Sequence, residues 1–98
     1  MHYNHVMLDY YKILEVDTEA SKEVIEKAYK ALSLKYHPDK QLTEAKDEAT
    51  RKWLRIREAY EVLSDDQRRA AYDQVRKREV IEVFLNEGLL GLVKRYLK

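Results

Sequence analysis

Tyr36-His37-Pro38-Asp39-Lys40 decides the fold, because it stops one helix and starts the path into the next. Proline has no backbone N–H and clashes with the carbonyl four residues earlier, so the helical run arriving through Lys30, Leu34 and Lys35 ends here. The residue before it, His37, is pushed out of the helical region. The result is a sharp turn carrying an imidazole and a carboxylate side by side, with short, polar Asp39 suited to stay exposed for a partner. Taken alone, the triplet equally fits a plain helix end, with His37 near the negative end of the dipole and Asp39 opening a turn.

Outward from the turn the pattern is helical. Residues 22–36 place Ile25, Ala28, Leu32 and Lys35 or Tyr36 at the three-and-four spacing of a buried stripe. Ser21 stands as its N-cap, and Glu23 favours its start. Beyond the turn, Trp53, Ile56, Tyr60 and Leu63 form the stripe of a third helix from about residue 44 to 63. Two such helices, joined by a short turn and each with one apolar face, pack as an antiparallel hairpin with the turn at its tip. Upstream, Asp9 to Val16 reads as a short helix with Asp9 at its start and Tyr10, Ile13 and Leu14 pointing inward. Downstream, Ser64-Asp65-Asp66-Gln67 reads as a capping box that opens a fourth helix through Arg68, Tyr72 and Val75.

Composition agrees with an all-α chain. There are 98 residues, 45% hydrophobic, with only two glycines and one proline to break helices. That length suits one small domain. No cysteine is present, so neither a disulfide framework nor a thiolate zinc site is available, and a reducing, cytoplasmic setting is expected. A net charge of +1 argues against nucleic acid as a partner, since phosphate contacts need a concentrated basic surplus. Met1-His2-Tyr3-Asn4-His5 does not open like a secretory signal, no stretch is apolar enough to span a bilayer, and residues 1–8 read as a flexible terminus. No catalytic triad, phosphate loop or metal-ligand spacing appears, so neither an enzyme nor a cofactor is expected.

Taken in order, these motifs resemble the J-domain of DnaJ-type co-chaperones. Residues 9–14 resemble that family's opening helix, 25–32 its second, 35–40 its signature turn, 58–65 the end of its third and 67–73 its fourth. The resemblance covers residues 9–77. It implies a J-domain-like helical hairpin with short flanking helices, and a protein that binds a heat shock protein 70 family chaperone in its ATP-bound state and stimulates ATP hydrolysis. It places the contact at His37, Pro38 and Asp39, flanked by the basic residues Lys27, Lys30, Lys35 and Lys40; Tyr29, on the second helix, reads equally as partner-facing or as packed. Asp39, once ionised, can accept charge-assisted hydrogen bonds from a partner arginine. The basic surplus on the second helix is thin, because Glu23 and Glu26 offset Lys22, Lys27, Lys30 and Lys35, and Glu26 and Ala31 stand where relatives often carry a base. Glu15 replaces the family's usual glycine, and Trp53 a phenylalanine that reads as core filling.

Residues 78–98 lie beyond the resemblance. Ile81, Leu85, Leu89, Leu92 and Tyr96 form the stripe of an additional C-terminal helix, interrupted by Gly88 and Gly91. One reading packs this helix on the domain; the other makes it a docking or self-association helix, the chain then serving as an interaction scaffold. A membrane-surface role is not expected, because Glu82 and Glu87 weaken the basic face.

Overall fold

The computed structural model describes residues 8–97. The expected loose terminus, with His2 and His5, therefore lies outside the described residues except for Leu8. Four helices follow in order, α1 (Tyr10–Ile13), α2 (Lys22–Tyr36), α3 (Lys46–Leu63) and α4 (Asp66–Tyr96). Single 3₁₀ turns at Pro38–Lys40 and Thr43–Ala45 lie between α2 and α3. Where one small domain is expected, the described residues divide into two compact units, 8–69 and 70–97, with α4 beginning in the first and continuing in the second.

In the first unit α2 and α3 form the antiparallel hairpin. Their contacting residues run in opposite directions: Tyr29 stacks on Tyr60, the Lys52 ammonium sits over the Tyr36 ring, and His37 meets Trp53. The seam holds Ile25, Leu32, Ala49, Ile56, Ala59 and Leu63, all buried, with Tyr11 and Leu14 from the α1 end. Trp53 and Tyr60, expected in this stripe, are only half-buried, and the alanines take the closest positions because large rings cannot fit where helices nearly touch.

Two local expectations need correction. Tyr11, not Tyr10, is the buried ring of α1, and Tyr10 instead reaches Glu58 with its hydroxyl. The helix is a single turn opened by Asp9, whose carboxylate accepts from the Tyr11 and Lys12 amides, and it stops at Glu15, where φ turns positive, instead of running to Val16 as expected. At the start of α4, Ser64 is consumed as the end of α3, its amide donating to the Tyr60 carbonyl. Asp65 caps instead, its Oδ1 accepting from the amides of Gln67 at 2.9 Å and Arg68 at 3.1 Å.

The second unit is a bent helix. α4 runs unbroken through residue 78, where a separate extension is expected to begin, and bends at Gly88 (φ 71°, ψ −166°). That backbone region is open essentially to glycine alone. After the bend the chain folds back, because the Tyr96 hydroxyl donates to Glu79 at 2.7 Å and the Arg76 guanidinium lies over the Tyr96 ring. The expected stripe is therefore split between two arms. Ile81, Leu85 and Leu89 are exposed and Leu92 and Tyr96 half-buried, while Val83 and Gly91 take the inner positions.

Candidate functional site: the turn at the hairpin tip

Each side chain of the tip is held by a stated backbone device. α2 ends at Tyr36, and His37 leaves the helix at φ −59°, ψ 129°, the extended region that a following proline imposes. Pro38 then opens a 3₁₀ turn, in which the Lys40 amide donates to the His37 carbonyl at 3.0 Å and the Gln41 amide to the Pro38 carbonyl at 3.2 Å. The imidazole closes the turn from its side-chain end: His37 Nδ1 accepts from the Asp39 amide at 3.2 Å. An accepting Nδ1 carries its lone pair there, which leaves the ring proton on Nε2, free to be donated outward.

Asp39 is what this scaffolding displays. Its side chain is 81% exposed, while its carboxylate oxygen comes no closer than 3.8 Å to His37 Nδ1. With its amide tied to the imidazole and its carboxylate in water, the residue is fixed in position yet available to a cationic partner. Pro38 is half-buried at the turn's corner.

Two supports were not legible as functional positions. The Gln41 side-chain amide reaches back to donate to the Lys35 carbonyl at 2.9 Å and the His37 carbonyl at 3.4 Å, covering acceptors that the end of α2 leaves open. Trp53 presents an edge contact to the imidazole, ring centres 5.5 Å apart at 61°, so it braces the turn rather than only filling core. Extending the Tyr29–Tyr60 pairing down the hairpin would have brought Trp53 to His37. Nothing in a linear pattern announces that Gln41 bends backwards.

The flanking cations are spread over both helices. Lys27, Lys30, Lys35 and Lys40 are all exposed. Lys35 and Lys52 sit over the Tyr36 ring at 5.3 and 5.1 Å, and Arg57 over the Trp53 ring at 5.1 Å. α3 thus brings Lys52 and Arg57 beside the turn, each shared with an acid one turn away, Glu48 at 3.6 Å and Glu61 at 3.9 Å. Tyr29 is half-buried and stacked on Tyr60, ring centres 4.1 Å apart and 10° from parallel. Among the described residues no cluster of histidine and acidic side chains could hold a metal ion, and no helix is long and apolar enough to cross a membrane.

Comparison with known proteins converges on the same span. The family model of the DnaJ domain matches residues 9–73. The human DnaJ homolog subfamily B member 3 is 53% identical over 68 residues, 69% of this chain and 46% of that protein. The chaperone protein DnaJ of Nitratiruptor is 54% identical over 72 residues, 74% of this chain and 19% of its own length. That of Geobacillus stearothermophilus is 58% identical over 66 residues, 67% of this chain and 17% of its own. The chain spans less than half the length of each of these relatives, and the matched stretch carries the turn and both helices that frame it. The chain belongs to the DnaJ domain family.

Proposed function

We propose that this chain is a co-chaperone module that docks on a heat-shock chaperone of the seventy-kilodalton class in its ATP-bound state and accelerates ATP hydrolysis there, without chemistry of its own. The observation that carries the reading is Asp39: an exposed carboxylate whose backbone is tied down by its own histidine at the tip of a braced hairpin. In this reading Asp39 takes hydrogen bonds from a chaperone arginine, Pro38 sets its direction, and His37 donates outward through Nε2. Lys27, Lys30, Lys35 and Lys40 steer an acidic surface toward the turn, and Tyr29 flanks the contact. A cytoplasmic setting goes with this partner.

Single-turnover ATP hydrolysis by a matching chaperone tests it. The intact chain is expected to accelerate turnover, and His37→Gln or Asp39→Asn to abolish the acceleration with helix content unchanged by circular dichroism. No acceleration by the intact chain, or equal acceleration by both variants, overturns the reading. Residues 80–97 play no part in it; their exposed apolar surface favours self-association, tested separately.

A further inference from the structure

The bent arm of α4 is built inside out. Besides the small inner positions Val83 and Gly91, its two halves are tied by polar contacts: Tyr96 to the buried Glu79, and Arg95 to Glu87 at 2.7 Å. Its outer surface carries Ile81, Phe84, Leu85, Leu89, Leu90 and Val93, each between 39% and 73% exposed. A hairpin meant to stand in water would place these residues inside, and contiguous apolar surface of this kind marks an interface.

Charge says what covers it. Glu82 and Lys94 are both exposed, and neither makes an ion pair among the described residues. Each lies six positions from Gly88, so both sit at the same height, about 9 Å along their arms from the bend at 1.5 Å per residue. Glu87 is already spent on Arg95 within one copy, so within residues 80–97 the charges left over are Glu82 before the bend and Lys94 after it. This acid-then-base order complements itself: a copy rotated by a two-fold axis along the hairpin sets its outgoing arm against the first copy's incoming one. An anionic lipid surface would instead be repelled by the glutamates.

We propose that residues 80–97 form a two-fold interface with a second copy of this chain, two hairpins closing into an antiparallel four-helix bundle in which Glu82 of each copy faces Lys94 of the other. The interface covers the apolar outer residues, and the two reciprocal ion pairs set the register and stop growth at two chains. It uses nothing of the tip, so the chaperone reading can fail without touching it.

Sedimentation equilibrium of the full chain from about 1 to about 200 µM should show mass rising from one chain to two and no further. Glu82→Lys and Lys94→Glu should each raise the dissociation constant at least tenfold, because each variant sets like charges opposite one another twice. Mixing the two variants in equal amounts should restore the dimer, since each charge then meets its opposite. Unchanged helix content and melting of the dilute variants serve as the folding control, and Leu89→Asp should also be monomeric. A single chain at every concentration overturns the proposal, as do species larger than two chains or a mixture no tighter than either variant. So does a monomer that co-floats with phosphatidylcholine/phosphatidylserine vesicles, which would assign the apolar surface to lipid.

Discussion

Glu15 shows how a single residue can carry both a family signature and a departure from it. It ends α1 at φ 58°, with its amide on the Lys12 carbonyl and the Val16 amide on the Tyr11 carbonyl. This is the two-bond helix terminator in which the left-handed position is normally glycine. A side chain there crowds the following carbonyl, and the residue is exposed, so the glutamate gains no burial in return. Glu15→Gly should therefore stabilise the chain by about 0.5–1 kcal/mol, the relief of left-handed strain less the extra backbone freedom of glycine when unfolded. Urea unfolding would show it as a higher midpoint at unchanged slope; an unchanged or lower midpoint would mean that the terminator is unstrained. The sequence marked this position only by comparison with a family, because an isolated glutamate says nothing about its own φ. His37 and Pro38 were legible directly, since proline dictates the backbone on both sides of itself.

At the scale of the element, legibility followed how local the cause was. α2 runs from Lys22 to Tyr36 as expected because its cap, its stripe and its stop are all written within its own length, and Ser21 Oγ accepts from the Val24 amide at 3.2 Å. The start of α4 misled because two acceptors stand side by side, and the choice between Ser64 and Asp65 depends on where α3 ends. Arg69, one turn after Asp65, does not pair with it: its side chain donates to the Tyr11 hydroxyl and the Thr18 carbonyl, contacts more than fifty residues distant in sequence. Asp65 is left to the helix amides, and its hydrogen bond from the Arg68 amide, aided by that from Gln67, holds its carboxyl below the ordinary value of 3.8. A lowered carboxyl stabilises the fold above its unfolded value and ceases to do so as pH falls through the folded one. The melting advantage of the intact chain over Asp65→Ala should thus be full at neutral pH, and should shrink as the solution is acidified past 3.8. Thermal melts of the two proteins between neutral pH and strong acid check this; an advantage independent of pH would remove Asp65 from the cap.

At the scale of the whole molecule, the apolar stripe read in residues 80–97 gives no sign of the bend that divides it. Helical periodicity assumes a constant backbone, and Gly88 breaks that assumption at one residue. The bend brings the Tyr96 hydroxyl to Glu79, and burial, together with the hydrogen bond to that carboxylate, pushes the phenol well above its ordinary value of 10.0. A group whose folded value is raised stabilises the fold fully below its unfolded value, and that contribution is lost as pH climbs beyond it. The returning arm should therefore hold at neutral pH and open in alkali, starting near pH 10.0, with loss of helical signal. Tyr96→Phe identifies the phenol: alkaline absorbance titration of this variant should lack a late-ionising phase that the intact chain shows. Gly88→Ala should abolish the same late phase without touching the phenol itself, because a side chain at φ 71° costs about 1–3 kcal/mol, enough to unseat an arm held by a few polar contacts. Stimulation of chaperone ATP hydrolysis should survive Gly88→Ala, since the tip is fixed by bonds among residues 35–41 and the edge of Trp53. If Gly88→Ala keeps the late-ionising tyrosine, the fold-back does not depend on the bend; if it loses stimulation as well, the arm takes part in the chaperone contact.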